Sequence, residues 1–127
     1  MKIRRRDVGD VTILELSGNF SGGPDSYDFE HIIEQLIDEK CWNTVVNFKH
    51  VKWINSPGIG IMTRNYSHYV RFGGQIVVAE LNTRVSILFE MMIRNIFEVY
   101  ETEKEAVEVT KSRATAPPRQ KSAAANT

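Results

Sequence analysis

Hydrophobic and polar positions alternate with two different periods along the chain. In residues 11–18, apolar and polar side chains interleave as in a half-buried strand, and residues 3–6 form a weaker strand beside it. From Phe29, apolar residues recur at the i, i+3, i+4, i+7 and i+8 spacing of one helix face. Residues 44–48 are β-branched and aromatic, which predicts a buried strand.

The second half of the chain continues this alternation. After a connection at residues 49–53, the pattern predicts a helix from Pro57 to just before Gly73, a strand at residues 75–81, a third helix, a short strand and a small final helix. The third helix is expected to bury Val85, Leu88, Phe89, Met92 and Ile93. Strands that alternate with helices form a largely parallel sheet with right-handed crossovers, so the predicted fold class is α/β.

Residues 1–110 are expected to fold as one domain, followed by a disordered C-terminal tail at residues 111–127. The chain has 127 residues, which is enough for one domain with a real core. The tail contains no large apolar residue. It therefore has no side chain whose burial could offset the entropy lost on ordering.

Charge and composition narrow the classes of partner. The chain carries 16 basic and 16 acidic residues, so it has no net charge to attract nucleic acid or an anionic membrane. The single cysteine, Cys41, cannot form an internal disulfide, and no apolar run suits a signal peptide or a membrane span. These features predict a cytoplasmic protein that binds a protein partner or a small ligand, with no direct binding of nucleic acid or membranes.

Catalytic and metal-binding patterns are missing from the sequence. His31, His50 and His68 have no cysteine or carboxylate at ligand spacing, and Cys41 has no neighbouring histidine to activate it. The stretches SGGP, FGGQ and SPGIG lack the lysine or the third glycine of nucleotide-binding loops. We therefore expect no metal site, no cofactor and no enzymatic activity.

The stretch INSPGIG, residues 54–60, draws attention to Ser56. Proline is favoured at the first position of a helix and biases the preceding residue toward extended geometry, so Ser56 is predicted to be the N-cap. The same place also suits a phosphate, because free N–H groups and the positive end of the helix dipole face it. Trp53, three residues earlier, is kept as a candidate ligand platform, although a partly buried core position is the more common role of tryptophan.

Four stretches of the sequence occur in an order that is typical of one known family. They are VTILELSGNF, with a Ser-Gly step at the end of a strand; VVNFKHVKWINSPGIGIM; RFGGQIVVAEL, with a glycine pair before a strand; and RVSILFEMMIRNIFEVYETEKEAV. Together they resemble the STAS domains, named for sulfate transporters and anti-sigma factor antagonists, and the second stretch is similar to that family's DSSGLG helix start. The resemblance implies a four- or five-stranded, mostly parallel mixed sheet flanked by about four helices.

The resemblance also implies a function, that of a partner-switching regulator without catalytic activity. Small stand-alone STAS proteins bind an anti-sigma factor that is also a serine kinase. Phosphorylation of a serine in the motif blocks this binding, and a phosphatase restores it. That serine corresponds to Ser56, so the implied function is that of an anti-sigma factor antagonist.

The partner surface is expected on the turn after the first long strand and on the first turn of the following helix. Gly58 and Gly60 leave the helix backbone uncovered there, and Ile59 is expected to be an exposed apolar contact. The predicted contact residues are Asn19, Ser21, Gly22, Asn55, Ser56, Pro57, Gly58 and Ile59.

Three positions depart from the family pattern. Asn55 and Ser21 stand where the family has aspartates, and Pro57 replaces a small polar residue. A STAS protein that binds its partner without a phosphate switch, as a scaffold subunit of a signalling assembly, is therefore the alternative function. A third hypothesis is an enzyme or small-ligand receptor whose pocket lies between the turn at residues 21–24 and the helix start at Ser56. No nucleophile, base or metal set in the sequence supports it.

Overall fold

The computed structural model describes residues 1–82, 85 and 87–114. In chain order, the elements are β1 (Lys2–Val8), β2 (Val11–Phe20), α1 (Asp25–Asp38), β3 (Asn43–Ile54), α2 (Ser56–Arg71), β4 (Gln75–Ala79), α3 (Ile87–Ile96), β5 (Val99–Tyr100) and α4 (Glu103–Ala114). Within those residues, no helix is both long and apolar enough to cross a lipid bilayer.

The strands form one sheet in the order β1-β2-β3-β4-β5. β1 runs antiparallel to β2, and the other neighbouring pairs are parallel. Each parallel connection contains a helix, because a tight turn cannot join parallel neighbours. The predicted α/β fold, with a mostly parallel mixed sheet and flanking helices, is confirmed.

Helices cover both faces of the sheet and divide the core into two clusters. On one face, Leu14 and Leu16 of β2 share a buried cluster with side chains of α1, α2 and α3. On the other face, Val11 and Ile13 of β2 pack with Ala106 of α4. Successive side chains of a strand point to opposite faces, which is why the first four residues of β2 are all buried.

β3 continues well beyond the strand predicted at residues 44–48. Its second half pairs with the end of β2, where His50 lies opposite Ser17 and Ile54 lies opposite Phe20. The predicted connection at residues 49–53 is therefore wrong. Polar side chains at these positions are exposed on one face of the sheet, so the segment lacks the continuous apolar composition of a strand buried on both faces.

α3 agrees only in part with its predicted set of buried residues. Val85 and Ile93 are buried, whereas Met92 is 38% exposed. The side chains of Leu88 and Phe89 lie outside the part of the chain that is described. Apolar residues surround much of this short helix, so spacing alone does not define the face that turns inward.

α4 extends past the predicted domain boundary. The boundary after residue 110 falls inside this helix, which continues to Ala114, so the boundary is corrected by about one turn. Thr110 is fully buried, and Gln75 Nε2 donates to its carbonyl at 3.2 Å. Arg113 forms an ion pair with Glu98 at 2.8 Å, a long-range contact that the apolar pattern does not reveal. The rest of the predicted tail, residues 115–127, lies outside the described residues.

A charged cluster attaches the start of α4 to the sheet. Arg6 of β1 donates to Glu15 of β2 at 2.6 Å and to Glu103 of α4 at 2.7 Å. Asn47 of β3 also donates to Glu103, at 2.8 Å. Burial alone would raise the pKa of Glu103, but the hydrogen bonds from Arg6 and Asn47 outweigh it and hold the pKa below its ordinary value.

This cluster should make stability depend on pH. Because the folded-state pKa of Glu103 is lowered, its contribution is present above the unfolded pKa and is lost as the pH falls through the folded pKa. Glu103→Gln is expected to lower the free energy of unfolding by about 1 kcal/mol at neutral pH. The difference from wild type should shrink as the pH falls to about 3, below the ordinary pKa of glutamate. Urea denaturation at both pH values measures this, with Lys104→Gln as a control, and a pH-independent difference would contradict it.

Candidate functional site

The predicted site residues come from two segments that meet at the carboxyl ends of β2 and β3. The loop after β2 contains Gly22, and α2 begins with Ser56 directly after β3. A Cβ atom built on Gly22 would lie 2.4 Å from the Cβ atom of Pro57, so the two segments are in close contact. The Asn55 N–H also donates to the carbonyl of Phe20 at 3.3 Å. The structure therefore brings together the two parts of the predicted surface.

Asn55, and not Ser56, is the N-cap of α2. Asn55 has an extended backbone, with φ −110° and ψ 177°, and its Oδ1 accepts a hydrogen bond from the Gly58 N–H at 2.8 Å. Ser56 is already the first helical residue, so the predicted cap is wrong by one position. Pro57 does not distinguish the two registers, since N–H groups throughout the first turn lack a partner inside the helix. Asparagine in the motif's aspartate position thus still caps the helix.

Six of the eight predicted contact residues are at least partly exposed. They are Asn19, Ser21, Gly22, Asn55, Ser56 and Pro57. The first turn of α2 contains no acidic residue. Since the N-terminus of a helix favours negative charge, the fold can accommodate an anionic group on Ser56.

Gly58 and Ile59 are buried, which corrects their predicted place on the partner surface. Ile59 is only 5% exposed and belongs to the larger core cluster. A Cβ atom on Gly58 would lie 2.3 Å from the carbonyl oxygen of Phe20. The sequence does not reveal that α2 approaches β2 so closely. This contact places Gly58 and Ile59 against the core. Gly60 does face open space, since a Cβ atom there would meet nothing within 4 Å.

Two exposed aromatic side chains lie on the adjoining elements. Trp53, at the end of β3, is 43% exposed and is paired with Asn19 in the sheet register. Tyr27, in the first turn of α1, is 64% exposed. The position of Trp53 near Ser56 marked it in the sequence, whereas a single tyrosine in a predicted helix carries no such signal. Aromatic residues are enriched in protein interfaces, so both are candidate contacts for a partner, and Trp53 directly adjoins Asn19 of the predicted surface.

The groups at this surface are suited to binding. They comprise the hydroxyls of Ser21 and Ser56, the Asn19 amide and the ring of Trp53. Among the residues that the structure describes, no three His, Cys, Asp or Glu side chains are grouped so that they could hold a metal ion. The exposed hydroxyl of Ser56 can be modified covalently by phosphate transfer.

Comparison with known families identifies the fold family. The sequence profile of the STAS domain family matches residues 2–106. The chain belongs to the STAS domain family. A relative of this STAS domain, the anti-sigma F factor antagonist of Paenibacillus polymyxa, is 24% identical over 98 residues, which are 76% of this chain and 84% of that protein.

Solved structures share the fold of this STAS domain. A Thermotoga maritima protein, described as a candidate anti-sigma factor antagonist, has a TM-score of 0.76 at 18% identity and covers 86% of this chain and 94% of its own. The anti-sigma factor antagonist SpoIIAA of Bacillus, in its unphosphorylated form, has a TM-score of 0.70 at 14% identity and covers 87% of this chain and 98% of its own. At these identities the likeness establishes the fold, and the predicted STAS membership is confirmed.

Removal of the Asn55 cap should weaken the domain. Asn55→Ala is expected to lower the free energy of unfolding by about 1 kcal/mol, because the Gly58 N–H loses its acceptor. Asn55→Asp should stay close to wild type, since aspartate caps equally well. Ser56→Ala is the matched control and should change stability little. Urea denaturation measures all three variants, and an equal loss in Ser56→Ala and Asn55→Ala would contradict the assigned cap.

The two glycines of the α2 start should respond in opposite ways to alanine. Gly58→Ala is expected to destabilise the domain by about 1–3 kcal/mol, since its Cβ atom would overlap the Phe20 carbonyl. Gly60→Ala should raise stability by up to about 1 kcal/mol, because alanine favours the helix and the site is open. Calorimetric melting compares the pair. Similar shifts in the melting temperature of both variants would show that α2 does not pack closely against β2.

Proposed function

We propose that this STAS domain acts as an anti-sigma factor antagonist, a partner-switching regulator without enzymatic activity. The observation that carries the proposal is the exposed Ser56 at the start of α2, next to the loop that follows β2. Similarity to the Paenibacillus polymyxa antagonist and to SpoIIAA supports it. In this proposal, the partners are an anti-sigma factor serine kinase and a phosphatase, and the place of action is the cytoplasm.

The proposed control is phosphorylation of Ser56. A phosphate adds about −1.5 to −2 charge units at neutral pH. Because a helix N-terminus favours negative charge, the phosphate leaves the fold intact and acts on the partner, through repulsion and loss of a close fit. The structure of SpoIIAA has been solved in its phosphorylated form. A protein with this fold can therefore carry a phosphate, which supports the proposed control.

The proposed partner contact is here called the switch surface. It consists of Asn19, Ser21, Gly22, Asn55, Ser56 and Pro57, together with Trp53 and Tyr27. The close packing of Gly22 on Pro57 holds the two backbone segments together. A partner therefore meets a preformed surface, which reduces the entropy lost on binding.

A constitutive STAS scaffold subunit of a signalling assembly is the second candidate. The observation that favours it is the contact of Pro57 with Gly22. This contact holds the segment around Ser56 in place, and a kinase active site would have to rearrange it. Asn55, in the position of the motif's aspartate, also removes an acidic group from beside the serine.

Affinity capture of the full chain from its native cell extract distinguishes the two candidates. Mass spectrometry then identifies the captured proteins and the modification state of Ser56. A kinase-like anti-sigma factor together with phosphorylated Ser56 supports the switch. A multi-subunit particle with unmodified Ser56 supports the scaffold.

A charge at residue 56 should change binding and leave stability nearly unchanged. Ser56→Asp is expected to melt within a few degrees of wild type and to bind the captured anti-sigma factor at least about tenfold more weakly, which equals about 1.4 kcal/mol. Ser56→Ala, the uncharged control, should keep wild-type affinity. Isothermal titration calorimetry measures both variants. If a folded Ser56→Asp variant binds with wild-type affinity, the phosphate switch is contradicted and the domain is a constitutive binding module.

A further inference from the structure

The sheet face that carries α4 is only partly covered by that helix. α4 packs over Val11, Ile13 and Val45, which lie near the amino ends of β2 and β3. Further along the same face, Ser17 of β2 and His50 of β3 lie opposite each other and line a depression open to solvent. A substantial part of the sheet face therefore remains accessible.

This depression, here called the basic face, has a volume of about 560 Å³. Its lining residues are Met1, Lys2, Ser17, Gly18, His50 and Lys52. Two of these side chains are lysines and none is acidic. Sites for small molecules normally enclose most of the ligand, whereas this depression is shallow and leaves its lining side chains accessible to a larger partner.

The acidic side chains closest along the same face are already paired. Glu15, two residues before Ser17 on β2, accepts hydrogen bonds from Arg6 at 2.6 Å and 2.9 Å. Glu103 accepts from the same guanidinium at 2.7 Å. These carboxylates therefore do not neutralise the lysines of the basic face. The whole chain has no net charge, so the positive charge of the basic face is balanced by acidic residues elsewhere in the protein.

The strand beside the basic face is the edge of the sheet. β1 pairs with β2 on one side and ends the strand order. Alternate side chains of β1 share a face, so Lys2 and Arg4 point to the same side, and the Arg4 side chain is 76% exposed. Basic residues on an edge strand discourage pairing with basic or apolar strands. An acidic strand is attracted instead, and its alternate carboxylates would lie beside Lys2 and Arg4.

We propose that the basic face and the β1 edge bind an extended acidic segment of a partner protein. Backbone hydrogen bonds to β1 provide the pairing, and the charges of Lys2 and Arg4 on that strand select acidic side chains. The inference does not rest on the proposed function, because it uses neither Ser56 nor an anti-sigma factor.

A fluorescein-labelled peptide of about ten residues, with alternating glutamate and threonine, is the probe for strand addition to the full chain. Fluorescence polarisation is expected to detect binding that weakens as the salt concentration rises. Lys2→Gln combined with Arg4→Gln should weaken binding at least about tenfold. The matched control combines Lys104→Gln with Lys111→Gln, which removes the same charge from exposed positions on α4 and should change affinity less than about twofold.

Several outcomes would overturn the proposal. Wild-type protein that binds no peptide up to about 1 mM would do so, as would equal losses in the two double variants. An oligonucleotide of equal charge that binds as tightly, and through the same basic residues, would assign the face to nucleic acid. If the first double variant melts markedly lower, the single variants Lys2→Gln and Arg4→Gln replace it, each with an expected loss of about threefold. Amide NMR shifts on β1 upon peptide addition support strand pairing, and shifts confined to α2 contradict it.

Discussion

The close approach of α2 to the end of β2 is the contact on which the rest of the switch surface depends. It requires a residue without a Cβ atom at Gly58, because the Phe20 carbonyl oxygen occupies that space. The Asn55 cap then satisfies an N–H of the first helical turn, and Pro57 packs on Gly22. These contacts together make Ser56 the first exposed helical residue.

The sequence was sufficient for the fold class, because the buried elements carry their own periodicity. Phe29 and Ile33 mark the inner face of α1, and Val45, Val46 and Phe48 mark the centre of the sheet. Features set by contacts between distant residues could not be read in this way. The pairing of residues 50–54 with β2 and the inward direction of Ile59 depend on packing that no local pattern encodes. The position of the cap was likewise missed by one residue, since Pro57 is compatible with both registers.

The end of β3 serves both proposed binding surfaces. His50 and Lys52 line the basic face, while Trp53 lies beside Asn19 on the switch surface. Ser17 and Asn19 are two residues apart on β2, so their partners His50 and Trp53 face the same side of the sheet and the two surfaces adjoin. A partner with an acidic segment can therefore contact both surfaces, and phosphate on Ser56 would interrupt only one of these contacts.

The central claim is that phosphate on Ser56 changes partner binding while the fold is retained. Its most direct test is calorimetric titration of the captured anti-sigma factor with protein that carries phosphoserine at position 56, beside the unmodified protein. Loss of at least about tenfold in affinity, in a phosphorylated protein whose melting temperature is within a few degrees of the unmodified one, is the expected result. Equal affinity of the two forms would contradict the claim.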